Sequence, residues 1–170
     1  MGTRMYRRRS AVLSTAVIVA LALTVATAAE VQADDAAFSF AVLADSRGRD
    51  VGNPVNVPVL TRIFQDMNSF APSFCLFPGD LVLGGPVDNH EFMRQLRTSI
   101  DASAVFHGPI YPAPGNHEMR RWPNRDVAWH QAFPGLPHNG PGAGPAAGNY
   151  YFDYAGSRFI SVLSDHEGYA

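Results

Sequence analysis

The chain has 170 residues, of which 46% are hydrophobic and 16% charged. This balance excludes a disordered or coiled-coil protein and leaves room for one domain with a sizeable core. Beyond residue 33, nine arginines face 14 acids, a net charge of −5 that argues against a nucleic-acid partner held by bulk charge, and the single Cys75 excludes an internal disulfide.

The chain starts with a basic cap, Arg4, Arg7, Arg8 and Arg9, followed by the uncharged stretch Ala11 to Ala29. This is the order of a cleaved export signal: basic start, apolar middle, small-residue exit. Cleavage fits after Ala28 or after Ala33, and the second site is preferred because it starts the mature chain at Asp34. Residues 1–33 are therefore expected to be a signal peptide and 34–170 a single domain, secreted or periplasmic, with no stable membrane partner after cleavage. The general secretory route is expected, although Arg8-Arg9-Ser10-Ala11-Val12 loosely matches a twin-arginine signal.

Phe38 to Ala44 is short, apolar and aromatic and ends in Asp45, the pattern of a buried strand. A loop is expected through Pro54. Val57, Leu60, Ile63, Phe64 and Met67 recur at helical spacing and predict a helix over about 55–69. Phe74 to Phe77 reads as a second strand, stopped by Pro78-Gly79-Asp80. Asp88 to Glu91 has the spacing of a capping box, so a helix should run from there to about Asp101. Ile110 to Ala113 is a third strand, leading into Gly115-Asn116-His117-Glu118. A short helix over 126–133 and a Gly/Pro loop over 134–148 follow. Tyr150 to Tyr154, a turn at Ala155-Gly156, and Arg158 to Ser164 read as a hairpin.

Strand, helix, strand, helix, strand predicts an α/β fold with parallel strands. Ligands of such sheets bind at the carboxyl ends of the strands. Three strands here end in polar clusters: Asp45, Gly79-Asp80, and Gly115-Asn116-His117-Glu118. Carboxylate and amide oxygens bind hard and borderline divalent cations. Two such ions roughly 3.5–4 Å apart can clamp a phosphoryl group. Asp80, on a tight turn after glycine, is placed to bridge them. Asn116 offers a neutral oxygen, and His117 could protonate a leaving alkoxide.

These segments resemble the calcineurin-like metallophosphoesterase family, including its purple acid phosphatase branch. The resemblance rests on Phe40 to Asp45, Pro78 to Val82, Tyr111 to Glu118 and the hairpin from Tyr150 to Leu163. It implies a metallophosphoesterase-type β-sandwich with flanking helices, which would be partial and truncated at its C-terminus. It implies Asp45 as a ligand of a first metal, Asp80 as the bridge, Asn116 as a ligand of a second, and His117 as the catalytic acid. The cofactor would be two metal ions, with Fe, Zn and Mn all compatible, and the substrate a small phosphate ester. Many members carry histidine where this chain has Arg47. A guanidinium offers no lone pair to a metal, so Arg47 is read as a substrate-phosphate contact. The family's later histidine motifs do not occur before Ala170, so the chain is expected to hold only the N-terminal half of a catalytic domain. Two alternatives stand beside a hydrolase: a non-catalytic member that binds a phosphorylated ligand, and an inactive truncated product.

The other histidines, His90, His107, His130, His138 and His166, are expected in loops or on the surface. Glu118 either orients His117 or faces solvent. Cys75 is expected to be a buried apolar residue, and Trp122 and Trp129 core residues.

Overall fold

The computed structural model describes residues 37–119, 124–140 and 148–163. The segment 1–33 expected to be a signal peptide, Trp122 and His166 lie outside the described residues.

Three parallel strands form the central sheet, in the order β1 (Ala41–Val42), β4 (Cys75–Pro78), β5 (Ile110–Ala113). Ala41 aligns with Cys75, and Cys75 with Ile110. Each crossover carries a helix: α1 (Val57–Asn68) joins the first strand to the second, and α2 (Asn89–Ser103) the second to the third. This is the α/β architecture expected, a parallel sheet with flanking helices. The first strand is shorter than the apolar run, although Leu43 still donates its N–H to the Leu76 carbonyl at 3.0 Å.

The middle strand is covered on both sides, which explains its unbroken apolar sequence. Cys75 and Phe77 pack with Leu60 and Phe64 of α1 and Phe92 and Leu96 of α2. Phe74, one residue before Cys75 and so on the opposite face, meets Phe152, Tyr154 and Phe159 at ring-centroid distances of 5.0–5.3 Å. Those rings belong to the hairpin β6 (Tyr150–Tyr154) and β7 (Ser157–Ser161). Its turn, Ala155-Gly156, has φ of 44° and 74°, the left-handed pair a two-residue hairpin needs. Tyr111 of β5 stacks on Phe152 at 3.7 Å, and the Tyr150 hydroxyl donates to the Pro112 carbonyl at 2.9 Å.

The helices start where the sequence places them. Asp88 caps α2, its carboxylate accepting the Glu91 N–H at 2.8 Å. Pro58 sits in the first turn of α1, where its missing N–H is harmless. A further helix, α4 (Arg125–Ala132), buries Trp129 at 0% exposure.

One expectation is corrected. Residues 46–54 are not a plain loop but a small antiparallel hairpin, β2 (Arg47–Asp50) with β3 (Asn53–Val55). Pairing there is sustained by the backbone, and Asp50 closes the turn by accepting the Asn53 N–H at 3.0 Å. The polar Arg-Gly-Arg-Asp sequence hid it because no apolar alternation marks the strand. Asn116–Met119, after the third strand, forms a single helical turn, α3.

Candidate active site

The three polar clusters follow β1, β4 and β5, and main-chain hydrogen bonds join them at the carboxyl edge of the sheet. The Asp45 N–H donates to the Gly79 carbonyl at 3.3 Å, and the Arg47 N–H to the Asp80 carbonyl at 3.1 Å. On the other side, the His117 N–H donates to the Asp80 carboxylate at 3.3 Å. Asp80 is therefore the residue shared by all three loops.

Asp45 and Asp80 both occupy left-handed backbone, with φ of 60° and 54°. A non-glycine residue there costs about 1–3 kcal/mol and persists only where its surroundings enforce it. Aspartate is among the residues that tolerate it best. Both carboxylates are thus turned out of their strands at the point where the sheet ends. The turns are tight enough to require glycine. A Cβ on Gly79, whose φ is 96°, would lie 2.7 Å from the Gly115 Cα, and a Cβ on Gly115 would strike the Asp80 carboxylate.

His117 is held from behind. Its Nδ1 lies 2.6 Å from the Leu83 carbonyl, which can only accept, so Nδ1 carries hydrogen. Nε2 faces Asp80, 3.9 Å from Oδ2. The loop supplying that carbonyl is itself anchored by helices. Gln95 of α2 accepts the Gly84 N–H at 2.9 Å, and the Arg125 guanidinium of α4 donates to the carbonyls of Gly85 and Val87. Arg125 also lies 3.9 Å over the Phe92 ring, and burial lowers its pKa to about 10. Beside His117 opens a cleft of about 410 Å³, walled by Val51, Leu83, Gly84, Gly85, Pro86 and Asn116.

Arg47 is not a free loop residue. Its Nε lies 3.7 Å from Asp80 Oδ2, so the guanidinium stands beside the central carboxylate.

Glu118 does not face solvent. It is fully buried, and its oxygens accept three backbone N–H groups. Oε2 takes those of Gly115 at 2.8 Å and Asp80 at 3.0 Å, and Oε1 takes that of Val82 at 3.1 Å. Burial pushes its carboxyl up to about 7, with the three N–H groups acting against that rise and the Asp80 charge adding to it. The signal was present in the sequence: glutamate three residues after Gly115, the half of a capping box that reaches back to the start of a helical turn.

His90 and His107 are exposed, while the rings of His130 and His138 lie 4.7 Å apart. Burial and the neighbouring His138 both lower the pKa of His130.

The donor set tests the expected metals. Asp45, Asp80 and Asn116 offer oxygen, the chemistry of a hard or borderline divalent cation. Glu118 is not available, since both its oxygens are taken up by the backbone. Among the described residues no three His, Cys, Asp or Glu side chains converge. In donor number and type, two carboxylates and one amide suit one cation completed by water and do not by themselves fill the shells of two.

No curated protein and no solved structure matched the chain. Residues 38–170 match the model of the calcineurin-like phosphoesterases, a family that typically binds two metal ions. That span takes in all three strand-end clusters and both helical crossovers, and on it the chain belongs to the calcineurin-like phosphoesterase family.

Proposed function

We propose that the protein is an exported, metal-dependent hydrolase of small phosphate esters. The observation that carries this reading is the meeting of three strand ends on Asp80, with His117 held by Leu83 on one side and Arg47 on the other. Asp45, Asp80 and Asn116 would hold the metal, which supplies positive charge for the phosphoryl oxygens and activates water. Arg47 adds a guanidinium to the same patch, suited to a phosphate oxygen. His117, with Nδ1–H fixed on the Leu83 carbonyl, presents Nε2 to the reaction side. In its protonated form Nε2 gives its proton to the ester oxygen as the P–O bond breaks, while a water oxygen bonds to phosphorus. The alcohol then leaves on the side of the cleft beside His117, whose walls are mostly apolar. Within the family we read the chain as resembling the purple acid phosphatase branch, and iron in the purified protein would support that reading.

A second reading has its own observation. The Arg47 guanidinium stands 3.7 Å from the Asp80 carboxylate, as it would in a member that binds phosphate without turnover. Hydrolysis of p-nitrophenyl phosphate and its bis-ester separates the two. Turnover that requires added Mn²⁺, Zn²⁺ or Fe and disappears on chelation supports the hydrolase. Phosphate binding by calorimetry with no product under any metal supports the binding protein.

A further inference from the structure

The geometry points to Glu118 as the positioning residue of the site: one buried carboxylate that sets the Asp80 loop against the loop bearing Asn116 and His117. The inference rests on the functional reading above and adds a residue that touches neither substrate nor metal.

Its three partners come from two separate chain segments. Gly115 begins the turn that carries Asn116 and His117. Asp80 and Val82 follow the end of β4 at Pro78. All three N–H groups point at one side chain that is 0% exposed. Main-chain hydrogen bonds between these segments are otherwise sparse, because the parallel ladder ends at Pro78 and Ala113. Beyond that register the two turns pack at Gly79 and Gly115 with no main-chain hydrogen bond between them among the described residues, and the acceptor comes from the Glu118 side chain. A carboxylate serves three donors because both its oxygens only accept, and hydrogen bonds to an ionised acceptor are roughly twice as strong as neutral ones. Glutamine would aim an NH₂ at one or two of the same donors. Aspartate is one methylene shorter and cannot reach both segments from α3.

The Asp80 N–H bond has a particular use. Asp80 holds a left-handed φ of 54°, and a residue in that region needs its surroundings to keep it there. Glu118 fixes the amide on the N-terminal side of that residue, and Val82 is fixed two residues later. The direction of the Asp80 carboxylate is set between these two points.

Hydrogen exchange and metal binding on the full chain test this. In the wild-type protein the amides of Asp80, Val82 and Gly115 should be protected and should open together, as one unit. Unprotected exchange at these three amides, with Cys75 and Leu43 protected, would overturn the assignment without any variant. In Glu118→Gln the same three amides should lose protection while those of Cys75 and Leu43 keep it. Titration with Mn²⁺ alone should show affinity lowered about 10–100-fold, the usual effect of removing a residue that orients a ligand. Glu118→Asp should not rescue it. A Glu118→Gln protein that keeps wild-type Mn²⁺ affinity, or one whose loss matches that of an equally destabilised core variant such as Leu96→Ala, would reduce Glu118 to general stability. Should wild type bind no Mn²⁺, the functional reading fails, and the exchange pattern alone still decides whether Glu118 joins the two loops.

Discussion

The Nδ1 atom of His117 lies 2.6 Å from the carbonyl oxygen of Leu83, while its Nε2 faces the Asp80 carboxylate. A carbonyl accepts and never donates, so this contact fixes which ring nitrogen carries the permanent hydrogen. The imidazole is aimed by backbone rather than by another side chain.

His117→Ala should therefore leave bound metal nearly intact and lower turnover by roughly 10²–10⁴, the scale of a lost general acid. Esters with good leaving groups should suffer less, since they need less protonation. An equal loss for p-nitrophenyl and alkyl phosphates would instead assign His117 to phosphate or metal binding.

Asp80 is the residue on which all three loops meet. Asp80→Asn should lose more metal than Asn116→Ala, with elemental analysis of the purified proteins as the measurement. Metal content in Asp80→Asn equal to that of the parent would leave Asp80 as a turn residue only.

Cys75 lies at 0% exposure in the central strand, and burial pushes its thiol up to about 11. The reactive form is the thiolate, so labelling should rise with pH and stay low below that value. At pH 8 a free cysteine is about one quarter thiolate, against about one part in a thousand at a pKa of 11. Iodoacetamide should thus label the native protein at least a hundredfold more slowly than the urea-unfolded chain. Equal rates would place Cys75 outside the core.

Phe64 of α1 is fully buried, with Phe106 at 5.4 Å and Phe77 at 6.4 Å between ring centroids. Phe64→Ala should destabilise the protein by about 3–5 kcal/mol, the range for emptying an aromatic site. Urea unfolding reads it directly, and a loss under about 1 kcal/mol would mean that α1 does not close this side of the sheet.

Export is tested at the other end of the chain. N-terminal sequencing of the secreted protein should start at Asp34, and a cytoplasmic product retaining Met1 would contradict the proposal.

The sheet was legible because its three strands are apolar runs bounded by turn residues, and the helices because Leu60 with Phe64, and Phe92 with Leu96, recur at helical spacing. The strand-end positions of Asp45, Asp80 and Asn116 followed from the same pattern. What the sequence hid depends on main-chain pairing. The hairpin from Arg47 to Val55 has no apolar alternation to announce it, and its charged residues read as loop. The partner of the His117 Nδ1 is a carbonyl, which every residue owns, so no residue type at position 83 could signal it. Glu118 showed only its distance from Gly115; that it also reaches Asp80 and Val82 is a fact of the folded chain. The Arg47–Asp80 contact was likewise out of reach, because it links the start of one hairpin to the end of a different strand.

Gly79 and Gly115 meet main chain to main chain, and this limits the routes open to sequence drift. Usually a residue that grows can be accommodated by a neighbour that shrinks. Here the obstacle to a side chain at Gly79 is the Gly115 backbone, and the obstacle at Gly115 includes the Asp80 N, 2.7 Å from the added carbon. Neither obstacle gets smaller whatever residue is chosen as its partner. A library randomised at both positions should therefore return the Gly–Gly pair and no compensated doubles. Adaptation of this protein to new substrates is then channelled into residues lining the cleft, such as Val51 and Pro86, which can change without moving the two turns.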